Sequence, residues 1–430
     1  MTRFEQDIAP VAGAYADVIG GACEMAGCVG DGDLLTLQTP PGCWGPMITP
    51  CIRGGHEVTR PIRVENAVPG DTVALILERV RVLSEFAASG TGRRYPERFG
   101  KDPSVHAICP HCNLEYPETV LSGTGEDAIR CSRCGNPIIP QTFENGYTVA
   151  IDGALGLGVA APPALAAEIA QKTLAGEVFL PEGSRQHLAT ILGAADLTDL
   201  IIRGRPMVGN IGCAPAVCIP SSKNSGDLLA SLNATGLFEP ARPCDLSDGH
   251  MDLNSVTEGS VVLSPVLLDG AGIYAGDVHL AQGDGELAGH TLDVSAEVRL
   301  RVRVLKGLSL EGPVILPAAQ ELEARLRPFT QAEYDAANGL LGRYGYSLSH
   351  RRYPVQVVGS ADTLGDAIDC AVRRASRLTG LPPGEIKNLA TVGGGVKIGR
   401  TTGSVCLTLM LTEETLGQIG ILELVRAHYA

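Results

Sequence analysis

Two pairs of cysteines have the spacing of a tetrahedral metal site. Cys109 and Cys112 form one Cys-x-x-Cys pair, and Cys131 and Cys134 form a second pair after 18 intervening residues. Four thiolates in this arrangement suit Zn²⁺, and four protein ligands leave no open coordination position, so such a site is structural. The alternative is a pair of thioredoxin-like redox motifs, but the flanking βαβ pattern is absent. The spacing therefore predicts a zinc ribbon with four cysteine ligands.

A second group of polar residues can hold a metal or move a proton. It lies in two glycine-containing segments, whose polar members are Asp248, His250, Asp252 and Asn254 in the first and Asp277, His279, Gln282, Asp284 and Glu286 in the second. Glycine lets the backbone turn sharply, so neighbouring side chains can meet at one point. A carboxylate beside a histidine can orient its ring, and the set could hold a divalent metal or act as a general base. The simpler alternative is a pair of Gly-Asp turns bonded to their own backbone.

The elements that position these residues are mainly strands in the first three quarters of the chain. Short apolar runs at 34–38, 62–65, 72–83 and 260–268 end in turn residues and predict strands. Apolar and polar residues alternate over 294–304, which predicts a strand with one buried and one wet face. The arginines on that wet face could form a binding stripe, but we favour a solvated face.

Helical patterns occur at 163–175 and in the C-terminal part. The apolar stripe over 364–378 begins after Thr363, a suitable N-cap, and ends at Gly380. A further helix is predicted to begin at Pro382-Pro383, a strand to cover 404–411, and a last helix to cover 413–428.

Composition excludes several classes of protein. The net charge is −14, which argues against a nucleic-acid partner because binding to the phosphate backbone requires a basic surface. Gly and Pro are numerous, but 44% of the residues are hydrophobic, which favours a turn-rich core over disorder. No apolar run is long enough for a membrane span. The odd total of 13 cysteines, without a secretion signal, predicts thiols or metal ligands in the cytoplasm.

We therefore predict a β-rich α+β chain. Its predicted parts are an N-terminal β region at 1–104, the inserted zinc-ribbon module at 105–138, a β-rich catalytic core at 139–310 and an α+β portion at 311–430.

The segment from Gly276 to Glu286 resembles the signature of the acetamidase/formamidase family, metal-dependent hydrolases of small amides. Three other segments are similar to that family in the same order: Gly55-His56 before Pro69-Gly70-Asp71, the glycine-rich loop at 206–215, and residues 362–399. The resemblance covers about residues 30–420, with the cysteine module as an insertion. It implies a β-sandwich-like body with an α+β portion and hydrolysis of a carboxamide C–N bond.

The resemblance also implies roles for individual residues. The residues expected to hold the catalytic metal are His56, Asp252 and His279. The residues expected to take part in catalysis are Glu286 as the base, His279, Asp284 and Gln282. The residues expected to bind substrate are His250, Asp277, Gly209 and Gly212. The chain departs from the family at His250, where an asparagine is usual before the Met-Asp pair, and an imidazole there could add a metal ligand.

Two hypotheses from different classes follow from these patterns. The first is a cytoplasmic, homo-oligomeric hydrolase of a small amide, linear or cyclic, with structural Zn²⁺ and a divalent catalytic metal, expected to be Zn²⁺. The second is a non-catalytic protein in which the histidines and aspartates hold a metal or small ligand and the ribbon recruits a partner. In either case we expect neither nucleic acid nor a membrane as partner.

Overall fold

The chain is mostly β with several helices, as its patterns predict. The computed structural model describes residues 7–8, 15–42, 51–94, 108–125, 127–138, 141–186, 193–230, 242–401 and 403–430. The strands are β1 (Asp7–Ile8), β2 (Tyr15–Ala16), β3 (Val18–Ile19), β4 (Cys28–Val29), β5 (Leu34–Thr39), β6 (Val58–Thr59), β7 (Arg63–Val64), β8 (Thr72–Val82), β9 (Phe86–Arg94), β10 (Thr119–Leu121), β11 (Ile129–Cys131), β12 (Gln141–Asp152), β13 (Leu157–Ala160), β14 (Ile201–Arg203), β15 (Met207–Cys213), β16 (Ile219–Pro220), β17 (Val261–Pro265), β18 (Ile273–His279), β19 (Asp293–Val294), β20 (Ala296–Leu305), β21 (Val314–Leu316), β22 (Arg352–Ser360), β23 (Gly395–Arg400) and β24 (Ser404–Thr412). The helices are α1 (Pro163–Leu174), α2 (Ser225–Ala230), α3 (Gln331–Gly342), α4 (Leu364–Thr379), α5 (Pro383–Gly393), α6 (Glu413–Ile419) and α7 (Leu422–His428). Among the described helices, none combines the length and apolar character that a membrane crossing requires.

Two sheets enclose the main core. A nine-stranded sheet has the order β1-β5-β20-β8-β17-β21-β22-β24-β23, and a five-stranded sheet contains β15, β18, β6 and β2 in that order, with β19 beside β18. One buried apolar cluster joins them: Leu75 and Val298 come from the large sheet, and Val208 and Val278 come from the small one. Each sheet therefore hides an apolar face against the other, which is the main source of burial.

The helices of the C-terminal part cover the other half of the large sheet. Ala367, Ala371 and Ala375 of α4 lie in a second apolar cluster with Val357 of β22 and Leu407 of β24. The predicted caps are present, because the Thr363 side chain accepts from the Asp366 backbone and Gly380 ends α4 at a φ of 74°. The large sheet thus contains strands from the predicted N-terminal region, the catalytic core and the C-terminal portion.

Two features of the C-terminal part differ from the sequence-based expectation. The sequence pattern does not predict the strand β22. Seven consecutive residues of this strand are buried, so its apolar and polar residues do not alternate. The single helix expected at 413–428 is two helices, α6 and α7, because Gly420 ends α6 in a left-handed conformation with a φ of 88°.

The cysteine pairs lie between two neighbouring strands of a four-stranded sheet with the order β14-β13-β12-β9. β9 and β12 pair antiparallel, with Arg94 opposite Gln141, so the chain leaves and re-enters the body at neighbouring points. The described residues between these strands, within 108–138, are here called the four-cysteine module. The pattern of residues does not predict β9, because small residues such as Gly90 weaken the strand signal. Gly90 is required by packing, since a Cβ there would lie 2.3 Å from the Asn145 carbonyl oxygen.

The alternating strand β20 supplies a direct test of the packing. Leu300 is fully buried, whereas Arg303 faces solvent and pairs with an Asp31 that is equally exposed. Leu300→Ala should lower the free energy of unfolding by about 2–5 kcal/mol, because it leaves a cavity in the main core. Arg303→Ala should lower it by less than about 1 kcal/mol, since exposed ion pairs contribute little. Chemical denaturation measures both, and equal losses would contradict the two-faced strand.

Candidate metal centre

The small sheet positions three of the candidate residues. Asp277 and His279 belong to β18, and His56 lies two residues before β6, which pairs with β18 through Val58 and Gly276. Their side chains converge at one end of this sheet, and all three residues are buried. The register of β15 against β18 places Gly209 opposite Asp277, between the pairs Val208–Val278 and Asn210–Gly276.

A loop that docks on Gly209 positions two more. The backbone N–H groups of Met251 and Asp252 both donate to the Gly209 carbonyl oxygen, at 2.9 and 3.0 Å. This brings His250 and Asp252 beside Asp277, and both are buried. Asp252 and Asp277 each have a positive φ, 49° and 54°, a conformation that costs about 1–3 kcal/mol in a non-glycine residue. Such strain persists only where the surroundings impose it, which is common at functional sites.

These five residues, here the His–Asp cluster, place their donor atoms at ligand separations. His250 Nε2 lies 3.1 Å from Asp277 Oδ2 and 3.1 Å from Asp252 Oδ2, and His56 Nε2 lies 3.6 Å from Asp277 Oδ2. His279 Nε2 lies 3.4 Å from the other oxygen of Asp277. The donors form two groups that share Asp277: His56, His250 and Asp277; and Asp252, Asp277 and His279. Within each group the donor atoms lie within 4.8 Å of one another, as ligands of one ion must.

Described protein groups alone do not satisfy the polar atoms of the cluster. Within the described part of the chain, neither ring nitrogen of His56 has a hydrogen-bond partner, and His250 Nδ1 and Asp252 Oδ1 also lack one. Burial lowers the pKa of His56 to about 4, so its ring is neutral near neutral pH and offers a lone pair. A buried polar group without a partner costs free energy, and a divalent cation would be a partner for the unsatisfied lone pairs among these atoms. The cluster therefore fits a metal.

The charges around His250 and His279 also favour a bound cation. Burial opposes the protonated form of His250, but the nearby Asp252 carboxylate outweighs it and raises the pKa to about 9. Burial also opposes protonation of His279, but Asp277 and Asp293 outweigh this effect and raise its pKa well above the ordinary value. The carboxylates thus attract positive charge to this point, which a proton or a metal ion can provide.

Gln282 fixes the orientation of His279. Its Nε2 donates to the carbonyl oxygens of Asp252 and Gly399, at 2.6 and 3.1 Å, so its Oε1 faces His279 Nδ1 at 2.8 Å. The oxygen can only accept, and His279 Nδ1 must therefore carry a proton. In the neutral ring this leaves Nε2 with its lone pair directed at the carboxylates, the tautomer that a metal ligand needs.

The remaining sequence candidates lie in different surroundings. Glu286 is half-buried, and burial and the Asp252 charge raise its pKa well above the ordinary value. Asp284 is exposed and accepts from Asn254 Nδ2 at 2.6 Å, so the structure does not bring it into the cluster. The space beside Gly212 borders Ser264 and Gly249, whereas that beside Gly209 borders the Asp252 and Asp277 carboxylates. Of the two glycines, only Gly209 touches the cluster.

Three residues at this site escape sequence reasoning: Asp293, Arg400 and Asp227. Asp293 Oδ1 lies 3.0 Å from His279 Nε2, because β19 pairs with β18 and places Asp293 opposite His279. Arg400, at the end of β23, lies 3.0 Å from Asp252 Oδ2 through Nε and 2.6 Å from Asp227 through Nη2. No local sequence pattern predicts these residues, because contacts between segments far apart in the sequence place them beside the cluster.

The four-cysteine module has the geometry of a tetrahedral thiolate site. Cys109 Sγ lies 3.6 Å from Cys134 Sγ, and Cys112 Sγ lies 3.8 Å from Cys131 Sγ. Sulfurs bonded to one Zn²⁺ at about 2.3 Å are separated by about 3.8 Å in a tetrahedron. All four sulfurs lie within 4.8 Å of one another, so they could hold one ion.

The two halves of this module repeat one backbone conformation. The residue after each second cysteine, Asn113 or Gly135, has a positive φ of 55° or 73°. Its N–H donates to the carbonyl of the first cysteine of the pair, Cys109 or Cys131, at 2.9 and 2.8 Å. Each loop thereby turns both of its thiols to the same side.

The sequence matches the model of the acetamidase/formamidase family over residues 44–245 and 231–340. These ranges cover well over half of the chain. The chain belongs to the acetamidase/formamidase family. Gly209, His250, Asp252 and the segment from Gly276 to Glu286 lie inside the matched ranges, whereas residues 362–399 lie outside them.

Individual relatives of the family agree with this assignment over short stretches. A formamidase of Methylophilus methylotrophus is 28% identical over 113 residues, which are 24% of this chain and 28% of that protein. An acetamidase of Mycolicibacterium smegmatis is 34% identical over 86 residues, 19% of this chain and 20% of that protein. The chain thus aligns with less than a third of the length of each of these relatives.

The fold agrees over nearly the whole chain. The crystal structure of an acetamidase from Bacillus halodurans matches with a TM-score of 0.53 at 16% identity. The match covers 95% of this chain and 98% of that one. At this level of identity it establishes a shared acetamidase fold.

Gly209 offers a test of the centre that removes no polar side chain. A Cβ at this position would lie 2.4 Å from Asp252 Oδ1 and 2.8 Å from the Asp277 carbonyl oxygen. Gly209→Ala should therefore displace both aspartates and reduce the bound divalent metal by at least one equivalent per chain, measured by atomic emission after dialysis. Gly283→Ala is the control, because a Cβ there would have no described heavy atom within 4 Å other than those of its chain neighbours. Full metal content in Gly209→Ala would contradict a metal centre at this place.

Proposed function

We propose that the protein hydrolyses the C–N bond of a small carboxamide, linear or cyclic, in a metal-dependent reaction that releases ammonia or an amine. The observation that carries the proposal is the buried His–Asp cluster, in which neither ring nitrogen of His56 has a hydrogen-bond partner among the residues that the structure describes. Membership of the acetamidase/formamidase family supports amide hydrolysis. The formamidase and acetamidase names of its relatives support a small substrate.

The residues that would hold the divalent metal, for which Zn²⁺ is our proposal, are His56, His250, Asp252, Asp277 and His279. His250 and Asp277, which the family resemblance places at the substrate, join this set because their donor atoms lie 3.1 Å apart inside the ligand groups. A bound ion of this kind acidifies water and polarises a carbonyl oxygen, the two things that an unreactive amide needs.

The protein's own residues supply the proton transfers and the orientation. Glu286 is the proposed base: its carboxylate takes a proton from the attacking water as the oxygen bonds to the amide carbon. The same carboxyl group then gives the proton to the nitrogen as the C–N bond breaks. The raised pKa of Glu286 suits this cycle, because a base with a pKa nearer neutrality both accepts and releases a proton readily.

Gln282 and Arg400 hold the ligands in place. Gln282 keeps His279 in the tautomer with a free Nε2 lone pair, and Arg400 lies against the Asp252 carboxylate and Asp227. Partners of this kind are worth about 10–100-fold in metal affinity or activity. Asp284, which is exposed and bonded to Asn254, has no part in this proposal.

Ammonia release from a panel of linear and cyclic amides tests the activity. His279→Ala and Glu286→Gln should each reduce kcat by at least about 100-fold, the range of general acid–base effects. His350→Ala, an exposed histidine paired with Glu414, is the matched control and should leave kcat unchanged. Because the base must be ionised, wild-type kcat should fall as pH drops through the raised pKa of Glu286.

The same panel separates the enzyme from the alternative of a non-catalytic metal- or ligand-binding protein. That alternative predicts metal in the His–Asp cluster with no ammonia or amine released from any amide. An absence of metal beyond one equivalent per chain, together with an inactive panel, would refute the enzyme.

We further propose that the four-cysteine module holds one structural Zn²⁺. Cys109→Ser should remove about one equivalent of zinc and lower the melting temperature, because the free energy of zinc binding contributes to folding. Cys28→Ser, at an exposed thiol outside the module, should change neither quantity. A melting temperature unchanged by Cys109→Ser would contradict a structural role.

A further inference from the structure

One irregular segment joins the two proposed metal sites. Residues 178–186, here the strap, follow α1 and contain no helix or strand. The first half of the strap packs against the four-cysteine module, and the second half contacts Glu57 and Gly42, which border the His–Asp cluster.

The first half of the strap packs into the apolar cluster of the four-cysteine module. Val178 is buried in this cluster, and Leu180 packs against it. The cluster also contains Cys109, Cys131 and Ile129 of the module, together with residues of α1. The position of the strap therefore depends on the folded state of the module, since tightly packed side chains transmit displacement.

The second half of the strap binds the carboxylate next to His56. Ser184 Oγ donates to Glu57 Oε2 at 2.7 Å, and the Arg185 backbone N–H donates to the same oxygen at 3.2 Å. Arg185 Nε also lies 3.4 Å from Glu57 Oε1. Glu57 is only 1% exposed, and these contacts help to compensate for its burial. Because Glu57 directly follows His56, its anchoring restrains the backbone that carries the His56 ring.

Gln186 contacts backbone that borders a second residue of the cluster, Asp277. Its Nε2 donates to the Gly42 carbonyl oxygen at 2.8 Å, in a contact buried from solvent. Gly42 lies directly against Asp277, since a Cβ on Gly42 would be 1.8 Å from Asp277 Oδ1. The strap thus holds backbone that borders His56 and backbone that borders Asp277, the residue shared by both ligand groups.

Arg185 adds an ionic contact to this connection. Its Nη2 lies 3.0 Å from Asp17 Oδ2, and its Nη1 donates to the Cys51 carbonyl oxygen at 3.3 Å. The pKa of the Cys51 thiol is raised to about 11, chiefly by burial, with Arg185 opposing the shift and Glu118 of the four-cysteine module adding to it. Cys51 is therefore within electrostatic reach of both the strap and the module.

We propose that Ser184, Arg185 and Gln186 are positioning residues for the His–Asp cluster, and that the four-cysteine module contributes to metal binding there by holding the strap. This inference rests on the proposed metal-dependent function. It gives the inserted module a role within the chain: its zinc stabilises the segment that keeps His56 and Asp277 at ligand separation.

The test measures Zn²⁺ affinity at each site by competition with a chromophoric chelator, on the full-length protein. Ser184→Ala and Gln186→Ala should weaken Zn²⁺ binding at the His–Asp cluster by about 10–100-fold, the usual effect of losing an outer partner. Affinity at the four-cysteine module should stay unchanged in both. Ser184→Thr, which keeps the hydroxyl, should restore cluster affinity, and Glu182→Gln, at an exposed strap residue, should match the wild type.

The contribution of the module is tested from its own side. Val178→Ala trims the contact between strap and module and should lower cluster affinity without loss of the zinc bound by the four cysteines. A Cys131→Ser/Cys134→Ser variant should lower it further if it folds, and Val178→Ala decides the matter if it does not.

Wild-type cluster affinity in both Ser184→Ala and Gln186→Ala would overturn the positioning role. Wild-type affinity in Val178→Ala would overturn the link to the module. Either result would leave amide hydrolysis by the wild type intact, so it is distinguishable from failure of the proposed function. Failure of that function would appear as an inactive amide panel, or as a wild type that binds no metal beyond the zinc of the four-cysteine module.

Discussion

Burial of negative charge at the His–Asp cluster is the constraint on which the rest of the structure depends. Asp252 and Asp277 are almost fully buried, stand close together and adopt left-handed backbone conformations. Such an arrangement is unfavourable unless positive charge and close packing compensate for it. Gly209 and Gly42 leave room for the two carboxylates where a Cβ would collide with them. The glycines that mark the sequence here therefore serve the charged centre as well as the turns.

The compensating groups come from distant parts of the chain, so the centre exists only when both sheets are assembled. Asp293 arrives through β19, and Arg400 arrives from β23 at the far edge of the nine-stranded sheet. Arg374 of α4 forms a buried pair with Asp248 at 2.6 Å, two residues before His250. The C-terminal part thus supports the loop that carries His250 and Asp252, in addition to covering the large sheet.

Features that depend on residues close together in the sequence could be predicted, whereas features that depend on contacts between distant segments could not. The four-cysteine arrangement could be predicted because its candidate ligands come in two short loops, each with an intrinsic turn. The strand β20 and the helix α4 could be predicted because each has one buried face and a clear period. The strand β22 could not, since both its faces are covered and its residues show no alternation. Asp284 lies close in sequence to His279, but it is exposed and accepts a hydrogen bond from Asn254, so closeness in sequence alone does not place a side chain in the cluster.

By itself, the sequence determined the family, the β-rich class, the two cysteine pairs and most members of the His–Asp cluster. These features depend on residue types at short, regular spacings. Only the tertiary structure decided which of the clustered polar residues face one another, and that Asp293, Arg400 and the strap of residues 178–186 belong with them. The reason is physical: a buried charge is stabilised by whatever lies around it in space, and those neighbours come from segments far apart along the chain.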